Sequence, residues 1–174
     1  MTAMEISLDL VTWAAESGFS WKPDGYGEPI RFFNQGGEEK YYIRASVVRP
    51  GWIDITNASR TGGEQHLLSA RNLDVAERFF WGLFGSDRRS RMHLPRLRIP
   101  IRADQVARCF CIELPESGQS RLVDPDGENV MAATSDISDV ANLVRTSHWM
   151  SVPLRVLKES FSDPEGRPAF PLSK

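Results

Sequence analysis

Reactive side chains are scarce in this sequence. It has two cysteines and three histidines in 174 residues, and none stands in a pattern that catalysis or metal binding requires. His66, His93 and His148 are scattered, with no His-Glu-x-x-His or similar ligand spacing. Such lone histidines serve more often as structural or surface residues than as bases. Ser90 and Ser147 lack the context of a nucleophile elbow. Cys109 and Cys111 have no second cysteine pair or nearby histidine to complete a four-ligand site. On a strand read over Val106–Leu114 their side chains share a face and are poorly placed to bridge. Both are therefore expected as reduced residues buried in the core. The Gly-Gly loops match neither G-x-G-x-x-G nor the P-loop and join strands instead of opening helices, so they are turns and not phosphate cradles. Asp124-Pro-Asp-Gly127 lacks the later glutamate and alternating oxygens of a calcium loop and reads as a β-turn. A basic stretch followed by a long apolar run is missing too, so neither signal peptide nor membrane span is expected, and the location expected is cytoplasmic. These absences leave no catalytic residue, metal or cofactor to assign.

What is present belongs to an ordinary globular protein. Hydrophobic residues make up 41% and charged residues 25%, enough for a real core and unlike a disordered chain. The length suits a single domain over residues 1–174. Net charge is −2, whereas a protein built to hold a nucleic-acid backbone is usually far more basic. The charge is uneven, because six arginines and no acid lie between Arg88 and Arg102. One positive face is implied, not a positive protein.

Periodicity points to an α+β domain, an antiparallel meander with about four helices packed against it. Leu10, Val11, Ala14 and Ala15 mark a helix over Ser7–Gly18, with Gly18 as its C-cap. After the turn-rich Lys22-Pro-Asp-Gly-Tyr-Gly come strands Ile30–Phe33, Tyr41–Val48, Trp52–Ala58 and Gln65–Ala70, too closely spaced for parallel crossovers. Asn72 caps a second helix, with Leu73, Ala76, Phe80 and Leu83 facing inward, Phe79 on the flank and Gly85 at its end. Pro95 and Pro100 bracket an extended arginine-bearing segment. Strands Val106–Leu114, Ser120–Val123 and Asn129–Ala132 follow, with turns at Pro115-Glu-Ser-Gly118 and Asp124–Gly127. Helices are expected over Ile137–His148 and from Ser151-Val-Pro153 through Leu154 and Leu157.

Two segments carry binding chemistry. Arg88, Arg89 and Arg91 open the basic strip, and guanidinium groups serve phosphates, carboxylates and aromatic faces. The competing reading is a solvated strip with internal ion pairs. The polar loop Arg60-Thr-Gly62-Gly63-Glu64-Gln65 tips a hairpin, which suits entry into a partner's cleft. Gly62 and Gly63 are expected to supply positive φ in a tight reversal.

Several segments in order resemble the immunity factors for the tuberculosis necrotizing toxin. They are Trp52-Ile-Asp-Ile-Thr with Ser59-Arg60 and Glu64-Gln65, then Val75-Ala-Glu-Arg-Phe79, then Arg88-Arg-Ser-Arg with Leu94-Pro95. Leu122-Val-Asp-Pro-Asp-Gly127, Leu143-Val with Ser147-His148, and Asp163-Pro-Glu-Gly-Arg-Pro-Ala-Phe170 follow. The resemblance runs from about Trp52 onward. It implies a non-enzymatic cytoplasmic inhibitor of a cognate NAD-hydrolysing toxin, with no cofactor of its own and no membrane partner. The expected contact residues are Arg60, Gly62, Gly63, Glu64, Gln65, Arg88, Arg89 and Arg91, placed by exposure and chemistry. The alternative is a nucleic-acid-associated module using Arg88–Arg102, which steep salt dependence would reveal.

Overall fold

The computed structural model describes residues 4–23, 28–114, 118–134 and 136–172. Its strands are β1 (Phe19–Lys22), β2 (Ile30–Asn34), β3 (Glu39–Ala45), β4 (Ile53–Ser59), β5 (Gln65–Ala70), β6 (Cys111–Glu113), β7 (Gln119–Val123) and β8 (Asn129–Thr134). They form one antiparallel sheet in the order β1-β2-β3-β4-β5-β8-β7-β6. The expected meander holds from β2 to β5, β1 adds an edge strand to it, and the later strands join it through β8. Helices α1 (Leu8–Glu16), α2 (Leu73–Arg91), α3 (Ile137–Met150) and α4 (Leu154–Ser162) complete the α+β architecture. The turn expected at Lys22-Pro-Asp-Gly-Tyr-Gly falls outside the described residues at 24–27, and that at Pro115-Glu-Ser-Gly118 falls outside them at 115–117.

Alternation along the strands sorts the sheet into two faces. Phe19, Phe32, Tyr41, Ile43, Ile55 and Leu68 are buried on one face. Phe80 and Phe84 of α2 meet Phe32 and Tyr41 there, with ring centroids 5.0–6.4 Å apart. Such aromatic pairs add about 0.5–1.5 kcal/mol each beyond area burial. The other face carries half-exposed and polar side chains.

Helix α2 differs most from expectation. Asn72 caps it as expected, Oδ1 accepting from the Val75 N–H at 3.0 Å, but the helix runs through Gly85 to Arg91. Gly82 and Gly85 are points of close approach. A Cβ on Gly82 would stand 2.0 Å from the Trp149 ring of α3, and one on Gly85 would stand 2.5 Å from the Phe161 ring of α4. With the sheet on one side and α3 and α4 on the other, α2 buries Phe79, Trp81 and Phe84 as well as Ala76 and Phe80, while Leu73 and Leu83 are half-buried. A single inward stripe was too narrow an expectation for a helix covered on both sides.

The cysteines also depart from expectation. Only Cys111–Glu113 of the expected strand pairs, at the sheet edge, and both Cys109 and Cys111 are exposed. Cys109 lies in a turn, exposure alternates only from Cys109 to Glu113, and there Phe110 and Ile112 turn toward the core instead. Upstream, the Ser147 hydroxyl accepts from the Ala107 N–H at 3.0 Å, and His148 Nε2 meets the Gln105 carbonyl at 2.8 Å. These α3 side chains pin the segment that crosses to β6.

Two smaller features escaped sequence reading. Phe19–Lys22 pairs with β2 as an edge strand, with Phe19 buried and Ser20 and Lys22 exposed. In α1 the buried set is Leu10, Trp13 and Ala14, while Ala15 is exposed. Trp13 Nε1 donates to the Trp81 carbonyl at 3.1 Å and Ser17 Oγ to the Phe84 carbonyl at 2.7 Å, tying α1 to α2.

Candidate partner-binding surface

The register of β3 and β4 places two hairpin tips side by side. Glu39 pairs with Ser59, so the β2–β3 turn and the β4–β5 loop leave the sheet at the same end. The Arg60 N–H donates to the Glu38 carbonyl at 2.9 Å, and Arg60 Nη1 lies 3.7 Å from Glu38 Oε1. The Arg60 side chain remains 73% exposed, so this ion pair contributes little and leaves the guanidinium open to a partner. Gly62, Gly63, Glu64 and Gln65 are all exposed. Neither glycine adopts the positive φ expected of it. The loop is shaped by the Ser59 hydroxyl, which accepts from the Gly62 N–H at 3.0 Å, so the chain reverses without a left-handed residue. Glu64 turns back onto the sheet, pairing with Arg44 and accepting from the Thr56 hydroxyl at 2.5 Å.

The three arginines of α2 have different surroundings. Arg88 Nε pairs with Glu16 at 2.8 Å, its Nη1 donates to Ser162 Oγ at 2.9 Å, and its guanidinium stacks 4.7 Å from the Trp13 ring. Arg89 is only 2% exposed and donates to the carbonyl oxygens of Pro95, Ser160, Phe161, Asp163 and Pro164. Arg91 is exposed and lines a cleft of about 320 Å3 with Asn34, Gln35, Glu39 and Asp87. Arg91 thus shares one end of the molecule with Arg60, through the β2–β3 turn, whereas Arg89 points inward. The basic strip is not one exposed ribbon, because its first turn is helical.

One perturbed group lines this cleft, and a second adjoins it through Glu39. Burial, reinforced by Glu39, pushes the Asp87 carboxyl up to about 6. Burial likewise raises Tyr41, whose hydroxyl donates to Glu39.

The polar face of the sheet beside the tips went unnoticed in the sequence. Register aligns Lys22, Arg31, Tyr42, Thr56 and His66 across β1 to β5. Arg31 and Arg44 lie 5.8 Å and 5.7 Å from the rings of Phe33 and Tyr42, giving the face cation–π pairs. Alternation along β2 and β3 held the signal, since every second residue there is polar or aromatic.

This face also groups Asp54, His66 and Ser69. Ser69 donates to Asp54 at 2.6 Å and meets His66 Nε2 at 3.0 Å. A hydrolytic triad has the imidazole in the middle, taking the serine proton while a carboxylate orients it. Here the serine is in the middle and is 3% exposed, so the trio braces β4 against β5.

The family described as Immunity protein 61 matches residues 13–169. Immunity factor for TNT from Mycobacterium tuberculosis (strain ATCC 25618 / H37Rv) is 32% identical over 177 residues, covering 98% of this chain and 96% of that protein. Immunity factor for TNT homolog from Mycobacterium bovis (strain BCG / Pasteur 1173P2) matches with the same values. Among solved structures, Rv3902c from M. tuberculosis has the same fold, with TM-score 0.85 and 28% identity over 99% of this chain and 98% of that one. Sequence and fold agree over nearly the whole length, and this chain belongs to the Immunity protein 61 family.

Proposed function

We propose that this protein is an antitoxin that binds a cognate NAD-hydrolysing toxin and inhibits it by occluding the active-site cleft. The observation that carries this reading is membership of the immunity family across residues 13–169. The paired tips support it, because two short loops anchored on a wide sheet lose little conformational entropy on docking. Arg60, Gly62, Gly63, Glu64, Gln65 and Arg91 form the proposed contact surface. Arg60, Gln65 and Arg91 supply donors for a polar cleft, and Glu64 holds the loop base through Arg44. Arg88 braces the neighbouring helices and Arg89 stands behind the surface. The protein acts by filling space and making hydrogen bonds, with no cofactor of its own. The nucleic-acid alternative has less support, because Arg88 and Arg89 are already engaged internally.

The test is to titrate the purified protein into NAD hydrolysis by a cognate toxin of the kind its relatives are named for. Activity should fall in proportion to added protein and vanish near one equivalent, with both chains co-eluting. Undiminished hydrolysis at molar excess, with no complex, would overturn the proposal.

A further inference from the structure

Along α2, on the side that faces α3, the chain encloses a second cleft, of about 520 Å3, that none of the hairpin-tip residues lines. Its walls are α2, α3 and the extended segment after Pro95. Arg96, Arg98 and Arg145 line it. Among the described residues, none of the three forms an ion pair. Arg145 is half-buried, burial pushes its pKa down, and its one hydrogen-bond acceptor among the described residues is Asn142 Oδ1 at 3.4 Å. A desolvated guanidinium without a counter-charge is costly, and an anion in the cleft would remove that cost. Asp87 is a carboxylate in the same wall, yet it is raised by burial and by Glu39 and makes no pair with these arginines.

Other groups in the cleft suit the body of a ligand more than its charge. Leu83, Ile99 and Ile101 give an apolar side, and Ser86 and Ser90 add hydroxyls. Trp149 lines the inner wall, and its indole N–H is buried without an acceptor among the described residues. Small-molecule sites fall at roughly 300–1,000 Å3 and combine apolar walls with a few placed polar groups. Arginine forks match phosphate oxygens two at a time.

We infer that the cleft between α2, α3 and the Pro95–Ile101 segment binds a small phosphate ester of mononucleotide size. Arg98 and Arg145 hold the phosphate, Arg96 adds charge at the rim, and the apolar side receives the organic body. None of the hairpin-tip residues lines this site, which shares only Asp87 and Ser90 with the cleft beside Arg91, so its occupancy does not depend on the antitoxin reading.

The experiment is calorimetric titration of the full-length protein with AMP, inorganic phosphate, inorganic sulfate and adenosine at constant ionic strength. AMP should bind saturably and at least tenfold more tightly than phosphate or sulfate, and adenosine should not bind. Arg98→Gln and Arg145→Gln should each weaken AMP at least tenfold, with circular dichroism confirming the fold. Arg98 is exposed, so its variant keeps the test valid if Arg145→Gln fails to fold. Arg155→Gln, on α4 outside this cleft, should leave binding unchanged. No saturable AMP binding, AMP no tighter than sulfate, or equal weakening by Arg155→Gln would overturn the site.

Discussion

Arg89 grips the carbonyl oxygen of Pro95 through two nitrogens, Nε at 2.9 Å and Nη2 at 2.6 Å. The rest of the guanidinium donates to carbonyls at the end of α4 and in the turn after it. A single side chain therefore ties the end of α2 to two loops. Arg89→Ala should lower unfolding free energy by about 3 kcal/mol or more, since several buried carbonyls lose a charged donor. Arg89→Lys should recover only part of this, because an ammonium cannot reproduce the planar fork. Urea denaturation measures both.

The glycines give a paired prediction. Gly82→Ala and Gly85→Ala drive a methyl into Trp149 and Phe161, and each should cost about 1–3 kcal/mol by overpacking. Gly63→Ala should be near neutral, since nothing lies within 4 Å of a Cβ there and its φ is not positive. Thermal melts of the three variants separate the roles.

Much of the fold was legible in the sequence, and the misses share a physical cause. Strand order from β2 to β5 follows from close turns, and the Asn72 cap from its side chain. The end of α2 was misplaced because a glycine that caps a helix and one that admits a neighbouring ring look alike in sequence. Trp149 and Phe161, which explain Gly82 and Gly85, lie far along the chain. Cys109 and Cys111 were misplaced because alternation gives two faces without saying which one is covered. Exposure of the tip residues Arg60 and Gln65 was legible from the polar loop. The burial of Arg89 was not, since its acceptors come from residues 95 and 160–164.

Arg88 and Arg91 should separate stability from association. Arg88→Glu loses the Glu16 pair and the Trp13 stack, which should cost about 1 kcal/mol of stability. Arg91→Gln, at an exposed position, should leave the melt nearly unchanged and slow toxin association, with less effect at high salt. Stopped-flow binding at two ionic strengths reads the second effect.

Asp87 predicts a pH dependence. Its carboxyl rises from 3.8 to about 6 in the folded protein, through burial and then Glu39. The folded state therefore holds the proton more tightly, a stabilising term present below pH 3.8 and lost as pH rises through about 6. Glu39 and Tyr41 face Asp87 from β3, and Arg91 lines the same cleft. Asp87→Asn should stabilise the protein by about 1 kcal/mol at pH 7.5, and the gain should shrink toward pH 4. Equal gains at both values would show that the carboxyl titrates normally.

The hairpin tips bear the central claim, and binding by a folded double variant tests it most directly. Arg60→Ala with Gln65→Ala removes two exposed side chains from the β4–β5 loop and its border. Its affinity for catalytically inactive toxin should fall at least tenfold, about 1.4 kcal/mol, with an unchanged circular dichroism spectrum and melt. A parallel loss of inhibition in the NAD-hydrolysis assay should accompany it. Wild-type affinity and inhibition in the folded double variant would contradict the account and move the inhibitory surface away from the tips.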